Sequence, residues 1–72
     1  MNRRQRRKVA RRWVETAERW TAIADAAHEA ARVMAAAGKW RDAIEALNIA
    51  RDAEAESLSL LVRTLPILRR LR

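Results

Sequence analysis

The side chains best placed to do chemistry are cations near the start of the chain. Arg3, Arg4, Arg6, Arg7, Lys8, Arg11 and Arg12 fall within residues 1–12, and no acidic residue lies among them. Guanidinium groups offer forked donors that match phosphate and carboxylate oxygens, and their charge persists at any physiological pH. Six guanidinium groups and the Lys8 ammonium on about three turns of helix repel one another, so the segment favours an anion brought from outside. Nucleic-acid phosphates supply one, with binding that falls steeply as salt rises. The plain alternative is a solvated basic segment. Docking to an acidic protein surface or to an anionic membrane surface are the others. Arg63, Arg69, Arg70 and Arg72 form a second basic block. Residues 13–62 hold nine acidic against five basic residues, so the net charge of +7 is segregated, as directed electrostatic contact requires.

Other chemistries have little to draw on. There is no Cys, hence no disulfide and no thiolate metal site, which fits an intracellular, cytoplasmic location. Asp25-Ala26-Ala27-His28 has the carboxylate-x-x-His spacing of di-iron bundles, with Glu29 adjacent. Those sites use Glu, however, and need a matching motif on a facing helix. His28 is the only His, and Thr16, Thr21, Ser57, Ser59 and Thr64 have no base at a telling spacing. A Gly-rich phosphate loop is absent. The sequence therefore predicts no enzyme, no cofactor, no metal and no small-molecule substrate. The basic start lacks a following apolar region, so no signal peptide is expected. The longest apolar stretch, residues 58–71, is broken by Arg63, Thr64, Pro66, Arg69 and Arg70, short of the ~18 residues a membrane span needs.

The elements that carry these cations read as long helices. Gly38 and Pro66 are the only residues of their kinds, and Ala occurs sixteen times among 72 residues. Asn2 can cap a first helix, with Gln5 three residues on as in a capping box. Trp13, Ala17, Trp20, Ala24, Ala27, Ala31 and Met34 then alternate steps of four and three, a seven-residue repeat along one stripe. Ile23, Ala30, Val33 and Ala37 widen it. Gly38 ends the helix. A second helix is expected from Lys39 or Trp40, with Asp42 suiting its dipole. Its predicted stripe is Trp40, Ala43, Ile44, Leu47, Ala50, Leu58, Leu61, Val62 and Leu65, weak between Arg51 and Ser57. Pro66 is expected to kink or stop it, leaving a short last turn.

So brief a connection at Gly38 makes the helices antiparallel. The expected fold is all-α: a single domain over 1–72, with a basic helical arm at 1–12, a hairpin at 13–65 and a basic tail at 66–72. Leu58, Leu61, Val62 and Leu65 form one apolar face, and Leu60, Ile67 and Leu71 another. A helix apolar on two sides needs two neighbours, and the hairpin supplies one. A homodimer with a four-helix arrangement is expected, its interface drawn from Trp13, Trp20, Trp40, Leu58, Leu61, Leu65 and Ile67. Trp13, Trp20 and Trp40 read as core or interface residues, although Trp13 could also stack on a base.

Two local resemblances bear on this. Gly38-Lys39-Trp40-Arg41-Asp42-Ala43-Ile44, with Leu47 and Ala50, resembles the second half of a tetratricopeptide repeat, over about thirty residues at most. Where that family prefers Trp, Leu, Gly and Tyr on its first helix, this chain has Ala27, Ala30, Ala31 and Met34. One repeat cannot make the family's groove, so the likeness implies hairpin packing only. The run from Asn2 to Trp13 looks like the arginine-rich helices of phage N antiterminators and lentiviral Rev, a likeness of composition over twelve residues. It implies a short helix that enters RNA, with Arg on phosphates and base edges. The sequence thus predicts a small non-catalytic binding or regulatory protein of phage style. It would contact DNA or RNA through the seven N-terminal cations, helped by Arg69, Arg70 and Arg72. An inhibitor or adaptor that masks a host regulator or polymerase through apolar helix faces is the rival. A minor virion component lying against packaged genome is the third reading.

Overall fold

A computed structural model describes residues 2–70. Two helices, α1 (Arg3–Ala36) and α2 (Trp40–Arg70), pack along each other as an antiparallel hairpin with a long axis of 53 Å. The capping box is present. Gln5 N donates to Asn2 Oδ1 at 2.9 Å and Asn2 N donates to Gln5 Oε1 at 3.1 Å, so two otherwise orphaned donors are satisfied together. At the far end Gly38 adopts φ 78°, the left-handed region that favours glycine. The Gly38 amide donates to Ala35 O at 3.0 Å and the Lys39 amide to Met34 O at 2.8 Å. That pair of bonds closes a Schellman turn and reverses the chain at once.

The core is made almost wholly of methyl groups. Ala10, Ala17, Ala24 and Ala31 of α1 are buried, seven residues apart. They meet Ala43, Ala46, Ala50, Ala53, Ser57 and Thr64 of α2, and the half-buried Leu60 and Ile67 continue that line. Alternating steps of three and four keep the line facing α1. Alanine loses no side-chain entropy on burial and favours helix, so a seam of it costs little to order. Its return is also small, under about 1 kcal/mol for each buried methyl. Trp13, Trp20, Ala27 and Met34 are half-buried in the alternate places of the α1 stripe, as their spacing predicts.

A polar clasp ties the middle of the seam. Ser57 Oγ donates across the interface to Ala17 O at 3.0 Å, Thr21 Oγ1 reaches the same carbonyl at 3.1 Å, and the two hydroxyls lie 3.0 Å apart. Three contacts share two hydroxyl protons, so no arrangement of them leaves the buried Ser57 unpaired.

The stripe expected on α2 is displaced. Trp40, Ile44, Leu47, Leu58, Leu61, Val62 and Leu65 are exposed, Trp40 at 65% and Leu58 at 63%. Of that stripe only Ala43 and Ala50 lie in the seam, and the supposedly weak stretch around Ala53 and Ser57 is among its best buried parts. Helices that approach closely select the smallest side chains for the line of contact, and the larger ones are turned outward. The two apolar faces near the end of α2 exist, with their roles exchanged. Leu60 and Ile67 pack toward α1, while the Leu58 face looks outward. Leu71 and Arg72 lie outside the described residues.

Nor does α2 stop before Pro66, because the helix runs through it to Arg70. Pro66 and Val62, whose carbonyl loses its helical donor, are both exposed, so solvent can take the place of the missing N–H. The basic arm is helical, as the cap at Asn2 predicts. It is the first three turns of α1, and Ala10 within it is buried.

Candidate functional site

The N-terminal cations occupy a continuous helix whose first turn holds no acid. Arg3, Arg4, Arg7, Lys8 and Arg11 surround a shallow concavity along one side of it. Steps of three and four bring those five together. Arg6 is half-buried at the edge of the seam, and Arg12 is exposed on another side of the helix. Among the described residues, Arg4, Arg6, Arg7, Lys8, Arg11 and Arg12 have no carboxylate within ion-pair reach.

The hairpin brings the second basic block to the same pole. A groove bounded by Arg7, Ala10, Arg11, Val14 and Leu68 shows that the last turns of α2 lie against this part of α1. Arg69 and Arg70, exposed in the final turn of α2, therefore share the pole with Arg7 and Lys8. Glu15 and Glu18 line the same groove, one and two turns beyond Arg11 on α1. Trp13 is half-buried at the stripe position its spacing assigns, and Trp20 one repeat further on. Trp40 sits at the opposite pole, exposed, and forms no part of this surface.

Elsewhere, His28 Nε2 meets Glu54 Oε1 across the two helices, and both side chains are about half exposed. Sequence spacing pointed from His28 to Asp25 and missed Glu54, which the antiparallel register alone brings near. No group of three potential metal ligands occurs among the described residues. On α1, Arg32 donates to Glu29 one turn earlier. That hydrogen bond, and then the charge of Arg32, hold the Glu29 carboxyl below its ordinary range. Both side chains are largely in solvent, so the pair adds little to the fold.

Among the described residues no helix is long and apolar enough to cross a membrane. Compared with known protein families, curated proteins and solved structures, the chain matches none.

Proposed function

We propose that this chain is a non-catalytic binding protein of the cytoplasm that contacts nucleic acid through the basic pole of its hairpin. The observation that carries the reading is that Arg4, Arg6, Arg7, Lys8, Arg11 and Arg12 share one helix and, among the described residues, none of them is in an ion pair, with Arg69 and Arg70 joining them at one pole. A helix keeps those charges close together only against their mutual repulsion. A phosphate backbone relieves that repulsion and releases its own counterions on binding. The concavity between Arg4, Arg7, Lys8 and Arg11 follows the helix axis, which suits a chain of phosphates better than one compact anion. Phosphate contact of this kind positions the protein and carries no sequence information by itself.

The test is binding of labelled DNA and RNA duplexes and hairpins by fluorescence anisotropy across a salt series. The expected result is a logarithmic fall of affinity with salt whose slope reports several phosphate contacts. The double change Arg6→Glu/Arg7→Glu removes two cations and adds two anions. It weakens binding at least tenfold and leaves the helical circular dichroism signal intact. Absence of binding tighter than micromolar at physiological salt, to any of these probes, overturns the proposal.

A further inference from the structure

A second periodic stripe runs along the outer side of α2. Each of its members follows a seam residue by one place: Ile44 after Ala43, Leu47 after Ala46, Leu58 after Ser57, Leu61 after Leu60 and Leu65 after Thr64. Trp40 leads it, and all six are exposed. One residue is a rotation of about 100° around a helix. The stripe therefore has the same three-and-four rhythm as the buried seam and stands about a quarter turn away from it. That is the layout of a helix with two neighbours in a bundle, one of which is α1. Six large side chains exposed together make an apolar surface on the order of several hundred Å², the upper end of what a monomer leaves bare.

The middle of the stripe is charged. Arg51 and Glu54 occupy the two places between Leu47 and Leu58. They are what identifies the occupant. We propose that a second copy of this chain packs on the stripe, α2 against α2 and antiparallel, with the two-fold axis passing between Arg51 and Glu54. In that register Arg51 faces the partner's Glu54, and Glu54 faces the partner's Arg51. Leu47 then meets the partner's Leu58, Ile44 the partner's Leu61, and Trp40 the partner's Leu65. Each residue and its opposite number exchange places under the axis, as an isologous interface demands. Run parallel and in register, the same stripe would set Arg51 against the partner's Arg51 and Glu54 against the partner's Glu54. Like charges facing each other within an apolar seam are costly.

The charge of the whole hairpin selects the same orientation. The loop half, residues 21–56, has seven acidic and four basic residues. The other half, residues 3–20 and 57–70, has two acidic and eleven basic residues. Antiparallel packing lays each acidic half beside a basic one, whereas parallel packing lays the two strongly basic halves together. Glu54 meets His28 through Oε1, so its second oxygen is available to the partner's Arg51. The dimer stands or falls apart from the nucleic-acid reading, because a monomer keeps its basic pole.

Sedimentation equilibrium over a wide concentration range tests the assembly, with the full chain free of nucleic acid. A dimer with a dissociation constant in the micromolar range or tighter is expected. Arg51→Glu alone and Glu54→Arg alone each weaken it at least tenfold, and the double exchange restores it, since the pair is merely reversed. The native chain has no Cys, so disulfide trapping has no background. Oxidising a mixture of Leu47→Cys and Leu58→Cys chains gives a crosslinked heterodimer, and neither chain alone crosslinks. A chain that stays monomeric at high concentration overturns the proposal, whether or not the stripe then binds lipid vesicles or another protein. A dimer that crosslinks with Leu58→Cys alone overturns the orientation.

Discussion

α2 carries two stripes of one rhythm and opposite composition. The inner one is alanine with one serine and one threonine over most of its length, and it is sealed against α1. The outer one is tryptophan, isoleucine and leucine around a charged pair, and it is open. Side-chain size sets the difference. Two helices joined by a turn as tight as that at Gly38 are brought close together, and only small side chains fit between backbones so near. Large side chains hold neighbouring helices further apart and bury more surface for each residue. The inner stripe thus fixes geometry at low yield, and the outer one holds the apolar surface from which an association would draw its free energy.

The sharpest way to break this contrast is to enlarge the inner stripe. Ala50 is fully buried, and Ala50→Leu has no space to enter without forcing the helices apart. It destabilises the hairpin by about 3 kcal/mol, read by urea unfolding at fixed concentration. Loosening the reversal comes next. No atom lies within 4 Å of a Cβ built at Gly38, so Gly38→Ala suffers only from its positive φ. The expected cost is about 1 kcal/mol, with the helix content unchanged. Truncating the outer stripe has the reverse profile. Leu61→Ala changes the unfolding of dilute, monomeric chain by less than about 1 kcal/mol, because an exposed side chain loses few contacts. Its effect appears in self-association, measured by sedimentation. The smallest effect is expected inside the seam at the clasp. Ser57→Ala leaves Thr21 bonded to Ala17 O, so no buried group is orphaned, and alanine is the better helix former. Stability should shift by about 0.5 kcal/mol or less in thermal melts.

The local signals in the sequence were dependable. Asn2 with Gln5, Gly38, and the regular α1 stripe from Trp13 to Met34 each specify a nearby event, and each occurs. The α2 stripe was not legible by ranking hydrophobicity, because the contact chose size over greasiness. Ala43, Ala46, Ala50, Ala53 and Ser57 were visible as a heptad line of small residues, matched to Ala10, Ala17, Ala24 and Ala31. At Pro66 the sequence allows a kink or a stop, and the stop does not occur: α2 runs on to Arg70, with Pro66 and Val62 both exposed so that solvent can replace the missing donor. At the candidate site, the cations were legible as composition. Their grouping was only half so: steps of three and four gather Arg4, Arg7, Lys8 and Arg11, whereas the arrival of Arg69 and Arg70 depends on the hairpin.

The alanine seam has a thermal consequence. The heat capacity gained on unfolding scales with newly wetted apolar surface. A hairpin closed by methyl groups wets little, so its free energy changes gently with temperature and cold leaves it nearly as stable as warmth does. If a second copy covers the leucines of α2, as proposed, that covering adds an increment, and calorimetry would see the curvature of the melt grow with protein concentration.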